Sequence, residues 1–122
     1  MPSNSLVGAW GEEQAAAYLR RRGYRIEAAR YRCRYGEIDL VASRGRFLAF
    51  VEVKLRKNAG HGLAREFVTP RKQQRLILAA QSYLQTHPTQ LQPRFDVVEV
   101  YAPQGAGGKV TVNQVENAFE AG

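Results

Sequence analysis

The chain has 122 residues, 44% of them hydrophobic, which fits one compact domain and leaves no room for a second. Its 18 Lys and Arg against 11 Asp and Glu give a formal net charge of +7. That charge favours a polyanionic partner, although charge alone does not separate nucleic acid from an anionic membrane surface. The single cysteine excludes an internal disulfide, and with only two histidines besides, a Cys/His zinc site lacks ligands.

Hydropathy argues against a membrane partner. The longest apolar runs span a handful of residues, far below the about 20 that cross a bilayer. The first residues have neither the basic region nor the apolar run of a signal peptide. We therefore expect no membrane segment and a cytoplasmic location.

The first predicted element is a helix that Ser3 or Ser5 caps and that runs to about residue 22, where Gly23 stops it. Residues 24–30 then predict a first strand at the edge of the sheet.

Glu12 is the anomaly of that helix, because apolar residues follow it at helical spacing. These residues are Ala15, Ala16 and Leu19. The spacing turns the Glu12 carboxylate toward the sheet and leaves Glu13 in solvent. The alternative is an acid near the helix end that is rotated outward.

The densest basic and aromatic stretch of the chain lies between residues 20 and 35. Arginine binds phosphate through two parallel hydrogen bonds and tyrosine can stack on bases, but an ordinary edge strand with a solvated face has the same pattern. The net charge favours contact with nucleic acid. The residues predicted to make it here are Arg30, Arg32 and Arg34.

Two alternating segments, residues 36–42 and 47–54, predict a β-hairpin that carries the chemistry. In the first, Asp39 shares a face with Glu37 and Val41; in the second, Glu52 shares a face with Lys54. An unpaired carboxylate inside such an apolar sheet costs several kcal/mol, so a divalent cation is the natural compensator.

The length of the hairpin loop decides whether these charged residues meet. An even loop, residues 44–45 or 43–46, places Asp39 opposite Phe50 and diagonal to Glu52, near enough for both carboxylates to hold one ion. An odd loop would need a bulge. The alternative without catalysis is a Glu-Lys pair on a solvated sheet face.

Asp39, followed on the next strand by Glu52-Val53-Lys54, resembles the PD-(D/E)xK nuclease signature, with Ile38 in place of the usual Pro. Over residues 8–101 the chain is similar to the YraN-like family of small bacterial predicted endonucleases, related in pattern to archaeal Holliday junction resolvases. The likeness is carried by Gly11-Glu12, Gly36-Glu37-Ile38-Asp39-Leu40, Phe50-Val51-Glu52-Val53-Lys54, Lys72 and Arg94-Phe95-Asp96.

The resemblance implies an α/β fold with a restriction-endonuclease-like α-β-β-β-α-β core, a mixed central sheet flanked by helices. It implies a metal-site role for Glu12, because resolvase-like nucleases use a first-helix Glu there, and a homodimer by analogy with resolvases.

The segment after the hairpin, residues 56–65, is basic and rich in Gly and predicts a mobile loop beside the site, with Arg56 and Lys57 as nucleic-acid contacts. His61 is expected to be a loop residue rather than a general base. Thr69 then caps a helix to about residue 85. Lys72 lies at the edge of its buried face, either reaching water or contacting a phosphate near the metal.

Residues 94–101 predict a strand parallel to that of Glu52, because a crossover helix separates the two. Asp96 within it is expected to be structural. Residues 104–109 predict a Gly-rich turn, residues 110–112 a short last strand, and residues 118–122 a frayed tail.

The pattern predicts a metal-dependent endonuclease acting on DNA rather than RNA. Mg²⁺ or Mn²⁺ would be bound by Asp39, Glu52 and the carbonyl of Val53, and Glu12 would hold a second ion or a metal-bound water. Lys54 would orient or deprotonate the attacking water. One alternative is a nucleic-acid-binding module that kept the fold without turnover. Another is a domain whose basic surface binds an acidic protein.

Overall fold

The computed structural model describes residues 4–57 and 68–121, with side chains from residue 8 onward. The elements are α1 (Asn4–Arg21), β1 (Arg25–Cys33), β2 (Gly36–Arg44), β3 (Phe47–Arg56), α2 (Pro70–Thr86), β4 (Gln92–Tyr101) and β5 (Thr111–Phe119). This order confirms the predicted α/β fold.

The five strands form one mixed sheet in the order β1-β2-β3-β4-β5. Strand β2 pairs antiparallel with β1 and with β3, and β4 pairs antiparallel with β5. Strands β3 and β4 pair parallel, and α2 connects them in the chain. The predicted edge position of β1 and the parallel pairing of β4 are both confirmed.

Alternate residues of β3 belong to two buried clusters, one beneath each helix. Ala49 and Val51 pack beneath α1, whereas Leu48 and Phe50 pack beneath α2. The helices contribute Ala15, Ala16 and Leu19 to the first cluster and Leu76, Ala79, Ala80 and Tyr83 to the second. The sheet is therefore covered on both faces.

Helix α1 ends as the glycine predicts. The N–H of Tyr24 donates to the carbonyl of Leu19 at 2.9 Å, and the N–H of Gly23 donates to that of Arg20 at 3.0 Å. Gly23 has a φ of 88°, which a residue without Cβ adopts at little cost. The turn fixes where the chain enters β1.

The predictions for the other helix ends differ in outcome. Ser3 lies outside the described residues, and Ser5 already belongs to α1. The predicted cap of α2 is confirmed, since the Thr69 hydroxyl accepts from the N–H of Lys72 at 3.2 Å, and His87 ends the helix. Neither described helix is long and apolar enough to cross a membrane.

The end of the chain differs from prediction. Strand β5 extends to Phe119, whereas only residues 110–112 were expected to be strand and residues 118–122 a frayed tail. Ala118 and Phe119 are buried, and the Phe119 ring stacks on Phe95 with centroids 4.9 Å apart. Packing of Phe119 against Phe95 of β4 holds this segment in the sheet.

Asp96 is the fully buried acid of β4 and is surrounded by protein donors. Arg94 donates to both of its oxygens, at 2.9 and 2.8 Å, the Gln114 amide donates at 3.0 Å, and the N–H of Asn117 donates at 3.0 Å. The bonds from Gln114 and Asn117 tie β4 to β5, and those from Arg94 lie within β4, which together support the predicted structural role of Asp96.

Candidate active site

The turn of the central hairpin consists of Gly45 and Arg46, because Arg44 lies across from Phe47. Gly45 has a φ of 58°, suited to the first position of a two-residue loop. The loop is even, as predicted, but it lies one residue later in the chain than residues 44–45.

This position of the turn moves the pairing of β2 and β3 by two residues. Val41, rather than Asp39, lies across from Phe50, and the paired register ends at Leu40. Continuing that register brings Asp39 across from Glu52 instead of diagonal to it. The two acids therefore stand on neighbouring strands at the same level of the sheet.

The alternation of β2 breaks at Asp39. Ile38 packs in the cluster beneath α2, whereas Leu40, two residues later, packs beneath α1. The partner strand is irregular at the same level: Arg30 lies between the residues paired with Leu40 and Ile38, and its φ is 53°. A left-handed arginine is uncommon and marks strain held by its surroundings. The prediction that Val41 shares the face of Asp39 is therefore wrong.

Asp39 is directed into the space that opens between β2 and β3. The N–H of Val53 donates to its Oδ2 at 2.8 Å, so the carboxylate takes the place of a backbone acceptor. Burial, and then repulsion from the charge of Glu52, raise the pKa of Asp39 from 3.8 to about 7. Such a carboxyl favours a compensating positive charge.

Two further acids meet Asp39. One carboxylate oxygen from each of Glu12, Glu37 and Asp39 lies within 4.8 Å of the others, and all three residues are half-buried. Glu12 reaches the cluster from α1, and Glu13 is exposed, as the helical spacing predicts. The Nε of Arg30 donates to Glu12 Oε1 at 2.9 Å.

Glu52 lies on the other side of this cluster, toward α2. It is buried, with Lys54 Nζ 3.5 Å and Lys72 Nζ 3.9 Å from its Oε1. Its Oε2 is buried and has no hydrogen-bond partner among the described residues. A buried carboxylate oxygen without a donor is costly unless a cation compensates it.

The acidic cluster differs in membership from the predicted metal site. That Asp39 and Glu52 share one ion stays a prediction, and the three oxygens that lie within 4.8 Å of one another belong to Glu12, Glu37 and Asp39. Glu37 was missed as a site residue, although its alternation with Asp39 was the signal that could have identified it.

A divalent metal ion fits this donor set. The ligand atoms are carboxylate oxygens, which suit hard cations such as Mg²⁺ or Mn²⁺. Glu52 Oε2 adds a buried oxygen that has no donor within the described part of the chain, and Val53 lies beside Asp39 through its N–H. Glu12, Glu37, Asp39 and Glu52 are thus the residues that could hold the ion.

The structure pairs two of the predicted phosphate-binding arginines with site acids. Arg30 contacts Glu12, and Arg32 Nε lies 3.5 Å from Glu37. Arg34 is exposed and lies over the ring of Tyr35 at 4.9 Å.

At the end of β3 and just after it, Arg56 is half-buried and Lys57 is exposed. The predicted mobile loop lies outside the described residues from 58 onward, with His61.

Comparison with known proteins identifies relatives along nearly the whole chain. The sequence profile of the "Uncharacterised protein family UPF0102" matches residues 11–100. A UPF0102 protein from Caldanaerobacter subterraneus is 42% identical over 118 residues, covering 96% of this chain and 97% of the relative. Others come from Symbiobacterium thermophilum, 46% identical over 94% of this chain and 97% of the relative, and Geobacter sulfurreducens, 41% identical over 96% and 91%.

Proposed function

The chain belongs to the uncharacterised protein family UPF0102, the YraN-like family that its sequence resembles, and from its acidic site we propose that it is a metal-dependent endonuclease acting on DNA. The proposal assigns the site to the PD-(D/E)xK type, with Asp39, Glu52 and Lys54 as its defining residues. Branched or otherwise structured DNA is the substrate suggested by the likeness to resolvases.

One observation carries the proposal: among the described residues, the buried carboxylate oxygen Glu52 Oε2 has no hydrogen-bond donor, and burial together with the charge of Glu52 raises the pKa of the half-buried Asp39 to about 7. Structural acids in proteins are normally satisfied by protein donors, as Asp96 is in this same sheet. A buried carboxylate oxygen that lacks such a donor is typical of a site that takes a cation.

The chemistry follows from the groups at the site. A bound divalent cation polarises a phosphodiester and lowers the pKa of the attacking water. The Val53 N–H fixes the orientation of the Asp39 carboxylate. Lys54, whose amino nitrogen lies 3.5 Å from Glu52, is placed to orient that water and to offset the negative charge that develops on the phosphate. Lys72, at 3.9 Å from Glu52 and 41% exposed, is placed to contact a neighbouring phosphate.

The test is incubation of the pure protein with labelled branched, duplex and single-stranded DNA and with matching RNA, in Mg²⁺ or Mn²⁺ and in EDTA. We expect strand cleavage of at least one DNA substrate with metal and none in EDTA. Absence of cleavage for the whole panel, by protein that binds the same substrates, would contradict the proposal. Light scattering of free and DNA-bound protein tests the homodimer that the resolvase likeness implies.

A second candidate, a binding module without turnover, is favoured by one contact pattern. Arg30 and Arg32 already offset two of the three clustered acids, Glu12 and Glu37, without an ion. In a module, these pairs would be permanent and metal would change neither DNA binding nor stability. A rise in Tm on adding Mn²⁺, absent with a monovalent salt at equal ionic strength, would favour the endonuclease.

A further inference from the structure

A basic cleft lies at the amino-terminal end of β3, away from the acidic site. It has a volume of about 420 Å³ and is built around the β2–β3 turn. Four arginines line it, supplied by three separate parts of the chain: Arg22 just after α1, Arg44 and Arg46 from the hairpin, and Arg94 from β4. None of them belongs to the acidic site.

Aromatic groups, rather than carboxylates, hold most of these arginines. The guanidinium of Arg44 lies 5.4 Å from the centroid of the Tyr24 ring, and those of Arg46 and Arg94 lie 5.3 and 4.8 Å from the centroid of Phe47. Ring faces attract a cation but leave its N–H donors available to a ligand. The rings therefore position the guanidinium groups of Arg44 and Arg46 without neutralising them.

Arg22 and Arg94 are fixed by phenol oxygens. Arg22 donates to the hydroxyl of Tyr18 at 2.7 Å, and Arg94 donates to that of Tyr24 at 2.6 Å. Neither bond removes positive charge from the cleft. The directions of these two side chains are thus set before any ligand arrives.

The cleft retains positive charge after its acids are counted. Asp96 neutralises Arg94 from below, and Glu116 lines the cleft with its Oε2 3.8 Å from Arg94 Nη1. The part of the chain that the structure describes pairs none of Arg22, Arg44 and Arg46 with a carboxylate within 4.0 Å. Like charges gathered in this way repel one another, and a bound anion relieves the repulsion.

We propose that this arginine cleft, formed by Arg22, Arg44, Arg46 and Arg94, binds a backbone phosphate of the nucleic acid at a distance from the metal site. Guanidinium groups match the oxygens of a phosphodiester through paired hydrogen bonds. The assignment to a nucleic-acid strand rests on the proposed function. Phe47 and Glu52 lie on one strand, so at about 3.3 Å per residue the two sites are about 16 Å apart.

That separation suits a bound duplex. It corresponds to about five base-pair steps of about 3.4 Å along the axis, so one substrate could reach both sites. The cleft would then fix the register of the strand while the acids cleave it, because phosphate contacts set position and not sequence.

The test compares Arg44→Gln/Arg46→Gln with a control of equal net charge, Arg75→Gln/Lys109→Gln. All four side chains are exposed, and the control pair lies on α2 and in the β4–β5 connection, away from the cleft. Arg94 stays unchanged because it holds Asp96. Binding of labelled duplex DNA is measured in EDTA between about 50 and 200 mM salt.

We expect the slope of log K against log salt to fall by about 2 in the cleft variant, since each lost phosphate contact removes about 0.9, and to stay unchanged in the control. Equal slopes for the two variants would overturn the proposal. If circular dichroism shows that the hairpin variant is misfolded, Arg22→Gln, just after α1, takes its place with an expected fall of about 1.

A second arm separates the two sources of phosphate. Inorganic phosphate, compared with chloride at equal ionic strength, should raise the Tm of the wild type and of the control more than that of the cleft variant. Loss of this shift together with a normal DNA slope would mean that the cleft takes a small anion, which overturns the strand assignment.

The outcome is separable from the fate of the proposed function. If the wild type cleaves DNA and the cleft variant keeps its salt slope, the cleft proposal fails and the endonuclease stands. If the slope falls but no substrate is cleaved, the cleft stands and the endonuclease fails. A wild type that binds no nucleic acid overturns both.

Discussion

The protonation of Asp39 links the acidic site to the stability of the fold. Its pKa rises from 3.8 to about 7, first through burial and then through the charge of Glu52. Between those values the folded protein keeps a proton that the unfolded chain has lost. Because the folded pKa is the raised one, the stabilising contribution is complete below pH 3.8 and is lost as pH rises through about 7.

Asp39→Asn should remove this pH dependence in metal-free protein. We expect the free energy of unfolding of the variant, relative to wild type, to increase between pH 4 and 7 by on the order of 2–4 kcal/mol and then to level off. Urea denaturation in EDTA across that range measures it. Glu13→Gln, which removes an exposed carboxylate, controls for the change in net charge. A constant difference between Asp39→Asn and wild type would show that Asp39 is charged throughout.

The side chains at the site differ in how far the sequence could place them. Glu12 was placed correctly, because helical spacing and three apolar neighbours suffice to orient it. The left-handed backbone of Arg30 could not be predicted, since a non-glycine residue adopts it only when tertiary contacts impose it. The pairing of Arg30 with Glu12 and the turn of Asp39 away from Val41 accompany that conformation.

At the level of strands, periodicity predicted the types of element and the even hairpin loop. It did not predict the register of β2 and β3, because an even loop is compatible with residues 43–46, 44–45 or 45–46, and only the turn geometry of Gly45 decides among them. Nor did it predict the length of β5, where polar residues precede a single buried pair, Ala118 and Phe119. Pairing with β4, a contact distant in sequence, defines that strand.

Phe119→Ala should therefore destabilise the protein, although the residue lies three positions from the end of the chain. Its ring is 9% exposed and stacks on Phe95, so we expect a loss of about 3 kcal/mol in the free energy of unfolding. Glu120→Ala, at the exposed neighbouring position, should change stability by less than about 0.5 kcal/mol. Equal urea midpoints for the two variants would mean that the end of β5 is not held as described.

For the whole molecule, two separated basic regions contribute to the net charge of +7. One is the β1 edge with Arg32 and Arg34, near the acids, and the other is the arginine cleft at the far end of β3. The acidic cluster of Glu12, Glu37 and Asp39 lies between them in the direction of the strands. A duplex bound across both would present its backbone to the acids.

The β1 edge can be tested apart from the cleft. Arg32→Gln/Arg34→Gln should lower the salt slope of DNA binding by about 2 relative to the Arg75→Gln/Lys109→Gln control. Arg30 is left in place because it contacts Glu12 and its backbone is left-handed. A slope that matches the control would restrict phosphate binding to other surfaces, and the edge would be an ordinary solvated strand.

Cleavage by Asp39→Asn decides whether the acidic cluster is an active site. The variant removes a charge that would hold the proposed cation and nearly preserves shape, so we predict a rate at least about 100-fold below wild type with Mg²⁺. Metal-free DNA binding should be equal or tighter, because carboxylates repel phosphates. Glu13→Gln should cleave like wild type. If Asp39→Asn cleaves the same substrate at the wild-type rate, the cluster of Glu12, Glu37 and Asp39 is not where the phosphodiester is broken.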